Sequence, residues 1–199
     1  MTSISSAKSP GGRSAARDRL LATAGRLFYK EGIRAVGVDR VMAEADVARA
    51  TMYRHFPGKD DLVRAYLKSV DTRIKEQLES ARENLLPSEF LMAMAEGIGK
   101  EICGADFHGC PFIKAASEFP DPQSPVHQVV IDHRSWFRSL LQDAFYRLDR
   151  TDAAERTDLM VALRDGAMIA GYLEDPQKAR TILILGVRHL VEDDTKLTG

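Results

Sequence analysis

The sequence has few of the features that mark secreted, membrane-bound or catalytic proteins. Its 199 residues include two cysteines, too few for a disulfide-stabilised scaffold. No apolar run reaches the roughly 20 residues that a membrane-spanning helix needs. A Gly-x-Ser-x-Gly nucleophile motif, a glycine-rich phosphate-binding loop and a His-Glu-x-x-His zinc motif are also missing. These absences favour a globular protein of the reducing cytoplasm that is not an enzyme and needs no cofactor.

Strand signals and internal repeats are missing as well. Apolar residues make up 44% of the chain and recur at the 3.6-residue period of amphipathic helices. Prolines and polar residues separate the periodic segments, so the sequence predicts an all-α protein of about nine helices. Long helices are expected over residues 59–85, 125–148, 153–173 and 176–191, with Asp152 as the N-cap of the third.

Charge is distributed unevenly along the chain, although the net charge is only -1. Residues 1–70 contain 13 lysines and arginines against 7 acidic residues, a net charge of +6. Residues 71–199 contain 15 basic and 22 acidic residues, a net charge of -7. This asymmetry predicts that the N-terminal part binds a polyanion, with an affinity that falls steeply as salt rises.

Residues 38–56 have the pattern of a helix-turn-helix. The apolar positions at helical spacing are Val38, Val41, Met42 and Ala45 in the first helix and Met52 and Phe56 in the second. Val47 is expected to be the buried corner residue after the turn, and Pro57 with Gly58 ends the second helix.

The second helix, over residues 48–56, leaves polar side chains pointing away from this core. They are Arg49, Thr51, Tyr53, Arg54 and His55, with Lys59 nearby. Such cations pair with phosphates or guanine edges, hydroxyls donate to phosphate oxygens, and a helix of this width fits the major groove of B-DNA. Arg40 and Gly37 are predicted as further DNA contacts. The alternative is a basic face that is only solvated.

The N-terminal arm, residues 1–14, is rich in Ser, Gly and Pro and lacks the apolar segment of a signal peptide. It is expected to be flexible. Arg13, Arg17 and Arg19 lie where it meets the first helix. They either follow a DNA backbone into the minor groove or belong to a simple soluble tail.

Two segments resemble the TetR family of transcriptional regulators. Residues 51–62, with Tyr53, His55, Phe56, Lys59 and Leu62 at matching places, resemble its Thr-Leu-Tyr-x-His-Phe-x-Ser-Lys-Glu-x-Leu signature. Residues 20–32 are similar to its Ile-Leu-x-Ala-Ala-x-x-Leu-Phe-x-x-x-Gly pattern. The resemblance implies a three-helix DNA-binding domain over residues 15–75 and a helical ligand-binding and dimerisation domain over residues 76–199. It also implies that the helix from Lys59 links ligand-domain movement to the separation of the DNA-reading heads.

Three positions depart from the family pattern. Gly37 stands where Thr or Ser usually caps the second helix, and Asp46 replaces the turn glycine. Ala48 and Ala50 stand where Ser and Gly are common, so the recognition helix begins without a side-chain cap. Asp tolerates the left-handed backbone better than most residues do, so Asp46 is expected to keep the turn.

Together with these residues, the resemblance to the TetR family implies a homodimeric repressor that binds a palindromic operator in double-stranded DNA and responds to an unidentified small-molecule effector, without a membrane partner. Two alternatives stay open. One is a protein-interaction module that keeps the helix-turn-helix shape without binding DNA. The other is a metal or thiol enzyme that uses the cluster Cys103, His108 and Cys110. Buried structural cysteines or a Cys103–Cys110 redox pair are further readings of the same residues.

Two sets of residues are assigned to the C-terminal part. The expected dimer interface is formed by Leu159, Leu163, Ala167, Ile182 and Leu185, because the last two helices carry more apolar surface than one face requires. Burial within one chain is the alternative. The expected ligand pocket is lined by Met94, Ile98, Phe112, Glu118, His133, Phe137, Met168 and Tyr172, with plain core packing as the alternative.

Overall fold

The computed structural model describes residues 14–148 and 151–192. Within these residues the chain forms nine α-helices and no strand, which confirms the predicted all-α fold. Close contacts divide the chain into two compact units that meet between Tyr66 and Leu67. Residues 1–13 of the predicted arm, including Arg13, lie outside the described residues.

The first unit contains three short helices and the start of a longer one. They are α1 (Ala15–Glu31), α2 (Val38–Ala45), α3 (Arg49–His55) and α4 (Lys59–Asn84). Helix α1 packs against both α2 and α3. Phe28 and Tyr66 meet edge to face with ring centroids 6.0 Å apart, and this arrangement stabilises an aromatic pair. Helix α4 crosses the boundary between the units, so the predicted domain limit at residues 75 and 76 stays a prediction.

The second unit contains the rest of α4 and five further helices. They are α5 (Pro87–Ile102), α6 (Pro111–Glu118), α7 (Pro125–Tyr146), α8 (Ala153–Leu173) and α9 (Pro176–Val191). Four of these begin with proline, whose fixed φ suits the first helical position and whose missing N–H is not needed there. Helix α9 packs on α5 and α8, and α8 also packs on α7.

Side chains cap the N-terminal ends of two helices in the second unit, and a third helix has no such side-chain cap. The side chains of Ser124 and Asp175 accept hydrogen bonds from backbone N–H groups at the starts of α7 and α9. Asp152 is the N-cap residue of α8, as predicted, but its side chain accepts no hydrogen bond from the first backbone N–H groups of the helix. Both of its carboxylate oxygens instead accept from Nε of the buried Arg156, at 2.8 Å each. Arg156 also donates to the Leu190 carbonyl at 2.7 Å and thereby ties α8 to α9.

Glycines allow two close helix contacts in the second unit. A Cβ on Gly171 of α8 would lie 2.3 Å from Cγ2 of Ile102 on α5. A Cβ on Gly186 of α9 would lie 2.5 Å from Cδ2 of Leu163 on α8. Both distances are below van der Waals contact, so an alanine at either position would displace the facing side chain.

Candidate nucleic-acid interface

The turn between α2 and α3 is held by backbone geometry and by one arginine. Asp46 adopts the left-handed conformation, with φ 50° and ψ 56°, as expected for the residue that replaces the turn glycine. Arg19 donates from Nε to the Ala45 carbonyl at 3.1 Å and from Nη2 to the Asp46 carbonyl at 3.3 Å. It therefore satisfies carbonyls at the end of α2, where a cation is favourable. Val47 is half-buried, so the prediction that it is a buried corner was wrong.

Arg19 was expected at the edge of a DNA-following arm, and its structural contact was not predicted from the sequence. Its two acceptors lie 26 and 27 residues further along the chain. Arg17, its neighbour, places its guanidinium 5.3 Å from the centroid of the Phe56 ring. Both side chains are thus engaged within the first unit, through a hydrogen-bonded turn and a cation–π contact.

Helix α3 separates a buried side from an exposed side as the spacing predicted. Met52 is fully buried within α3, and Phe56 is buried at its C-terminal end. Arg49, Tyr53 and Arg54 are exposed on the opposite side. Ala48 precedes the helix and offers no side-chain cap, as the sequence predicted. The seven-residue helix is fixed by its buried side, and its basic and aromatic side is exposed.

Arg49 is held at this surface from two directions. Its Nη1 donates to Oδ1 of Asp39 at 3.1 Å. Its guanidinium carbon also lies 5.4 Å from the centroid of the Tyr53 ring, a cation–π distance. Asp39 belongs to the first turn of α2, so this ion pair joins the two helices of the motif at their exposed surface.

His55 and Thr51 are less exposed than the sequence predicted. Both are half-buried, and Nε2 of His55 is buried without a hydrogen-bond partner in the structure. The expectation that His55 projects fully away from the core was therefore wrong. The cause is its place in the last turn of α3, next to the buried Phe56. An unpaired ring nitrogen of this kind is costly unless a partner or a water reaches it.

Lys59 and Gly37 lie at the starts of the two flanking helices. Lys59 is the first residue of α4, and its ammonium donates to the Arg34 carbonyl at 3.4 Å. Gly37 precedes α2 with extended backbone and no side-chain cap, and a Cβ there would meet no atom within 4 Å. The start of α2 therefore has no side-chain cap, as the sequence predicted.

Arg40 is bound by carboxylates from two helices. It donates to both oxygens of Glu31 at 2.5 and 2.9 Å and, through Nε, to Glu44 at 2.9 Å. Arg26 approaches the same Glu44 at 2.5 Å. Hydrogen bonds from Arg40 lower the pKa of Glu31, and hydrogen bonds from Arg26 and Arg40 lower the pKa of Glu44. The four side chains join α1 to α2, so a phosphate contact by Arg40 requires exchange of a carboxylate for a phosphate.

This geometry matches a known family. Residues 20–66 fit the model of the bacterial regulatory proteins of the tetR family. The crystal structure of a TetR-family transcriptional regulator from Streptomyces coelicolor is 44% identical in sequence, with a TM-score of 0.86 over 90% of this chain and 95% of that one. The chain belongs to the TetR family. It is therefore a DNA-binding transcriptional regulator, and the enzyme and protein-interaction alternatives are not favoured.

More distant relatives agree with the TetR assignment. The HTH-type transcriptional regulator LmrA of Bacillus subtilis is 23% identical over 158 residues, which cover 78% of this chain and 82% of the relative. An HTH-type transcriptional repressor of Mycobacterium tuberculosis is 27% identical over 114 residues, or 57% of this chain and 58% of the relative. TetR-family regulators bind DNA and act as dimers, so the predicted class of partner is supported.

In the second unit of this TetR-family protein, three of the predicted pocket residues come together. The rings of Phe112 and His133 stack with centroids 3.7 Å apart, and the rings of His133 and Phe137 have centroids 6.5 Å apart. Nδ1 of His133 lies 2.8 Å from Oδ1 of Asp71. Because the carboxylate only accepts, the ring donates this hydrogen bond. Burial lowers the pKa of His133, although the hydrogen bond to Asp71 opposes that shift.

Charged groups missed by the sequence analysis surround these rings. Arg164 lies 5.7 Å from the Phe137 ring centroid and donates to Oδ1 of Asp165 at 2.8 Å. Its Nη2 also lies 3.4 Å from Sγ of Cys110. Asp165 is the next residue in the chain, whereas Cys110 is 54 residues away, so no local spacing in the sequence signals the contact between Arg164 and Cys110. The result is an aromatic cluster with the ion-paired Arg164 beside it.

The remaining predicted pocket residues have different surroundings. Met94 and Met168 are buried, whereas Ile98 and Glu118 are half-buried. Tyr172 is 52% exposed, and its ring would contact a Cβ placed on Gly109, so it lies largely on the surface.

Three of the five predicted dimer residues are exposed apolar side chains, and the other two are more buried. Leu159, Ile182 and Leu185 on α8 and α9 are exposed by about half, at 58%, 49% and 49%. Leu163 is half-buried against Gly186. Ala167 is buried inside the unit, so it lies behind this surface.

The cysteine and histidine cluster is not gathered into a metal site. Cys110 is buried beside Arg164, whereas Sγ of Cys103 lies 3.5 Å from the Pro176 carbonyl. Among the residues described, no group of three or more His, Cys, Asp or Glu side chains is arranged to hold a metal ion. In the same part of the chain, no helix combines the length and apolar character needed to cross a membrane.

Proposed function

We propose that this protein is a ligand-responsive repressor that binds a palindromic operator as a homodimer. The observation that carries the proposal is the exposed side of α3, where Arg49, Tyr53 and Arg54 are presented by a helix anchored through the buried Met52. A basic and aromatic helix face of this width suits the major groove. Repression as the mode of action follows the name of the M. tuberculosis relative.

The proposed roles of the contacts differ by chemistry. Arg49 reads a base edge, because a guanidinium can donate two hydrogen bonds to guanine O6 and N7. Thr51, Tyr53 and His55 contact the sugar–phosphate backbone, and Lys59 holds a phosphate. The uncapped start of α2 at Gly37 offers backbone N–H groups to another phosphate. Arg54 and Arg40 add positive charge, with Arg40 acting chiefly through its connection of α1 to α2.

The proposed dimer forms through α8 and α9. Their exposed leucines and isoleucines include Leu159, Ile182 and Leu185, and Ile169 is exposed on α8 as well. Apolar side chains grouped on two adjacent helices favour association, since burial stabilises by about 25 cal/mol per Å² of apolar surface. A two-fold pair of this kind presents two α3 helices, and these match the two half-sites of a palindrome.

The proposed effector acts on the second unit. The stacked Phe112, His133 and Phe137 rings, with Asp71 and Arg164 beside them, combine apolar area with polar groups that can orient a ligand. Asp71 belongs to α4, the helix that also begins beside the recognition helix with Lys59. A ligand that displaces His133 from Asp71 therefore acts directly on α4.

Selection from a genomic fragment library tests this proposal. The full-length protein should retain fragments that contain an inverted repeat, and it should bind each repeat as two chains. A screen of small molecules should then find compounds that release the bound fragment. No enrichment of any fragment would favour a protein-interaction module, and enrichment of single half-sites by one chain would contradict the dimer.

A further inference from the structure

Asp39 is the one acidic group paired with a proposed base-reading side chain among the residues described. Its carboxylate receives a hydrogen bond from Arg49 at 3.1 Å, and both side chains are highly exposed, at 77% and 69%. Tyr53 lies on another side of the same guanidinium, 5.4 Å away. An acidic side chain at this surface opposes binding to any polyanion, because the carboxylate is repelled by the phosphates.

We infer that Asp39 determines sequence specificity, because its carboxylate accepts from a cytosine amino group at the operator and repels phosphates elsewhere. This inference rests on the proposed DNA-reading role of α3. In the free protein Arg49 neutralises Asp39. When Arg49 turns to DNA, the carboxylate loses that partner and has to find a donor.

The two kinds of DNA complex differ in what they offer the carboxylate. In the major groove, guanine presents the acceptors O6 and N7, and its paired cytosine presents the N4 amino donor. Arg49 and Asp39 are neighbours and have complementary hydrogen-bonding groups, so together they match one G·C pair. On non-specific DNA, Arg49 moves to a phosphate and leaves Asp39 facing the phosphates without a donor. The penalty then falls on the non-specific complex.

The substitution Asp39→Asn tests the inference, because it keeps the shape of the side chain and removes its charge. We measure affinity by fluorescence anisotropy at one fixed salt concentration, with the selected operator and with a scrambled duplex of equal composition. The variant should bind the scrambled duplex about threefold to tenfold more tightly than the wild type does. The ratio of operator to scrambled affinity should fall by about tenfold or more.

A matched control separates this effect from net charge. Glu155→Gln makes the same change of charge on an exposed residue at the start of α8, in the second unit. Its affinity ratio should equal that of the wild type. A second arm replaces each G·C pair of the half-site with A·T. Replacement of one of these pairs should lower the affinity of the wild type strongly, and it should lower the affinity of Asp39→Asn clearly less.

The outcomes distinguish this inference from the proposed function. If the wild type does not discriminate between operator and scrambled duplex, the proposed function fails. If the wild type discriminates and Asp39→Asn keeps the same ratio within twofold, the inference alone is overturned. The same holds if Glu155→Gln lowers the ratio as much as Asp39→Asn does. Circular dichroism of both variants confirms that each is folded.

Discussion

Replacement of Gly171 by alanine should destabilise the second unit, because the added methyl group has no room. A Cβ there would lie 2.3 Å from Cγ2 of Ile102, 3.5 Å from its Cβ and 3.6 Å from Cβ of Ala179. An ordinary carbon–carbon contact is about 3.6 Å, so helices α5 and α8 would have to separate locally by roughly 1.3 Å. Ile102 is buried and β-branched, and its single preferred helical rotamer leaves it little freedom to turn away.

The net effect follows from two opposing contributions. Overpacking of a dense core costs about 1–3 kcal/mol. Alanine recovers up to about 1 kcal/mol through its higher helix propensity. We therefore expect the free energy of unfolding to fall by about 1–2 kcal/mol for Gly171→Ala. Gly97 on α5 is the matched control, because a Cβ there meets no atom within 4 Å. Gly97→Ala should stabilise by about 0.5–1 kcal/mol.

Urea unfolding followed by tryptophan fluorescence measures both variants. The chain has one tryptophan, Trp136 on α7, so the signal reports on the second unit. Protein concentration is held constant, because a dimer gains stability with concentration. Equal unfolding midpoints for Gly171→Ala and Gly97→Ala would refute the close approach of α8 to α5.

Three further outcomes test other parts of the structure. His133→Gln should reduce the slope of the free energy of unfolding against pH between pH 7 and 5, by at most about 1.4 kcal/mol per pH unit. Urea titrations at several pH values measure this slope. Burial lowers the pKa of His133 from 6.5 in the folded protein, so its stabilising effect is present above pH 6.5 and is lost as pH falls; an unchanged slope would contradict this. Leu185→Glu should weaken self-association in sedimentation velocity, and an unchanged dimer would show that α9 does not form the interface. Arg19→Ala should cost about 1 kcal/mol and speed amide exchange around Ala45, and normal protection there would show that its two hydrogen bonds are dispensable.

Local rules of the sequence account for most of the fold. Proline at the first helical position and apolar residues at helical spacing predicted the starts and lengths of α7 and α9 closely. Asp46 was expected to keep the turn in place of the usual glycine, and its left-handed backbone confirms this. These features depend on residues that are close together in the sequence. Periodicity and capping rules describe such local relations, so they could predict these features.

The site was less predictable because its long side chains contact residues that only the folded structure brings close to them. Arg40 was predicted as a DNA contact, but its Glu31 partner, nine residues away on another helix, was not predicted. Arg49 was expected to point outward, but its pairing with Asp39, ten residues earlier, was not predicted. His133 and Asp71 are separated by 62 residues, so only the folded second unit brings them together.

Mobility shifts with the selected operator, at one fixed salt concentration, test most directly the claim that the exposed side of α3 binds DNA. Tyr53→Ala and Lys59→Ala should weaken binding to every duplex alike, and Lys59→Ala should reduce the salt slope by about one. Arg49→Ala should change the preferred sequence. Lys100→Ala on the exposed side of α5 is the control and should bind as the wild type does. Unchanged operator binding by all three α3 and α4 variants would contradict the account.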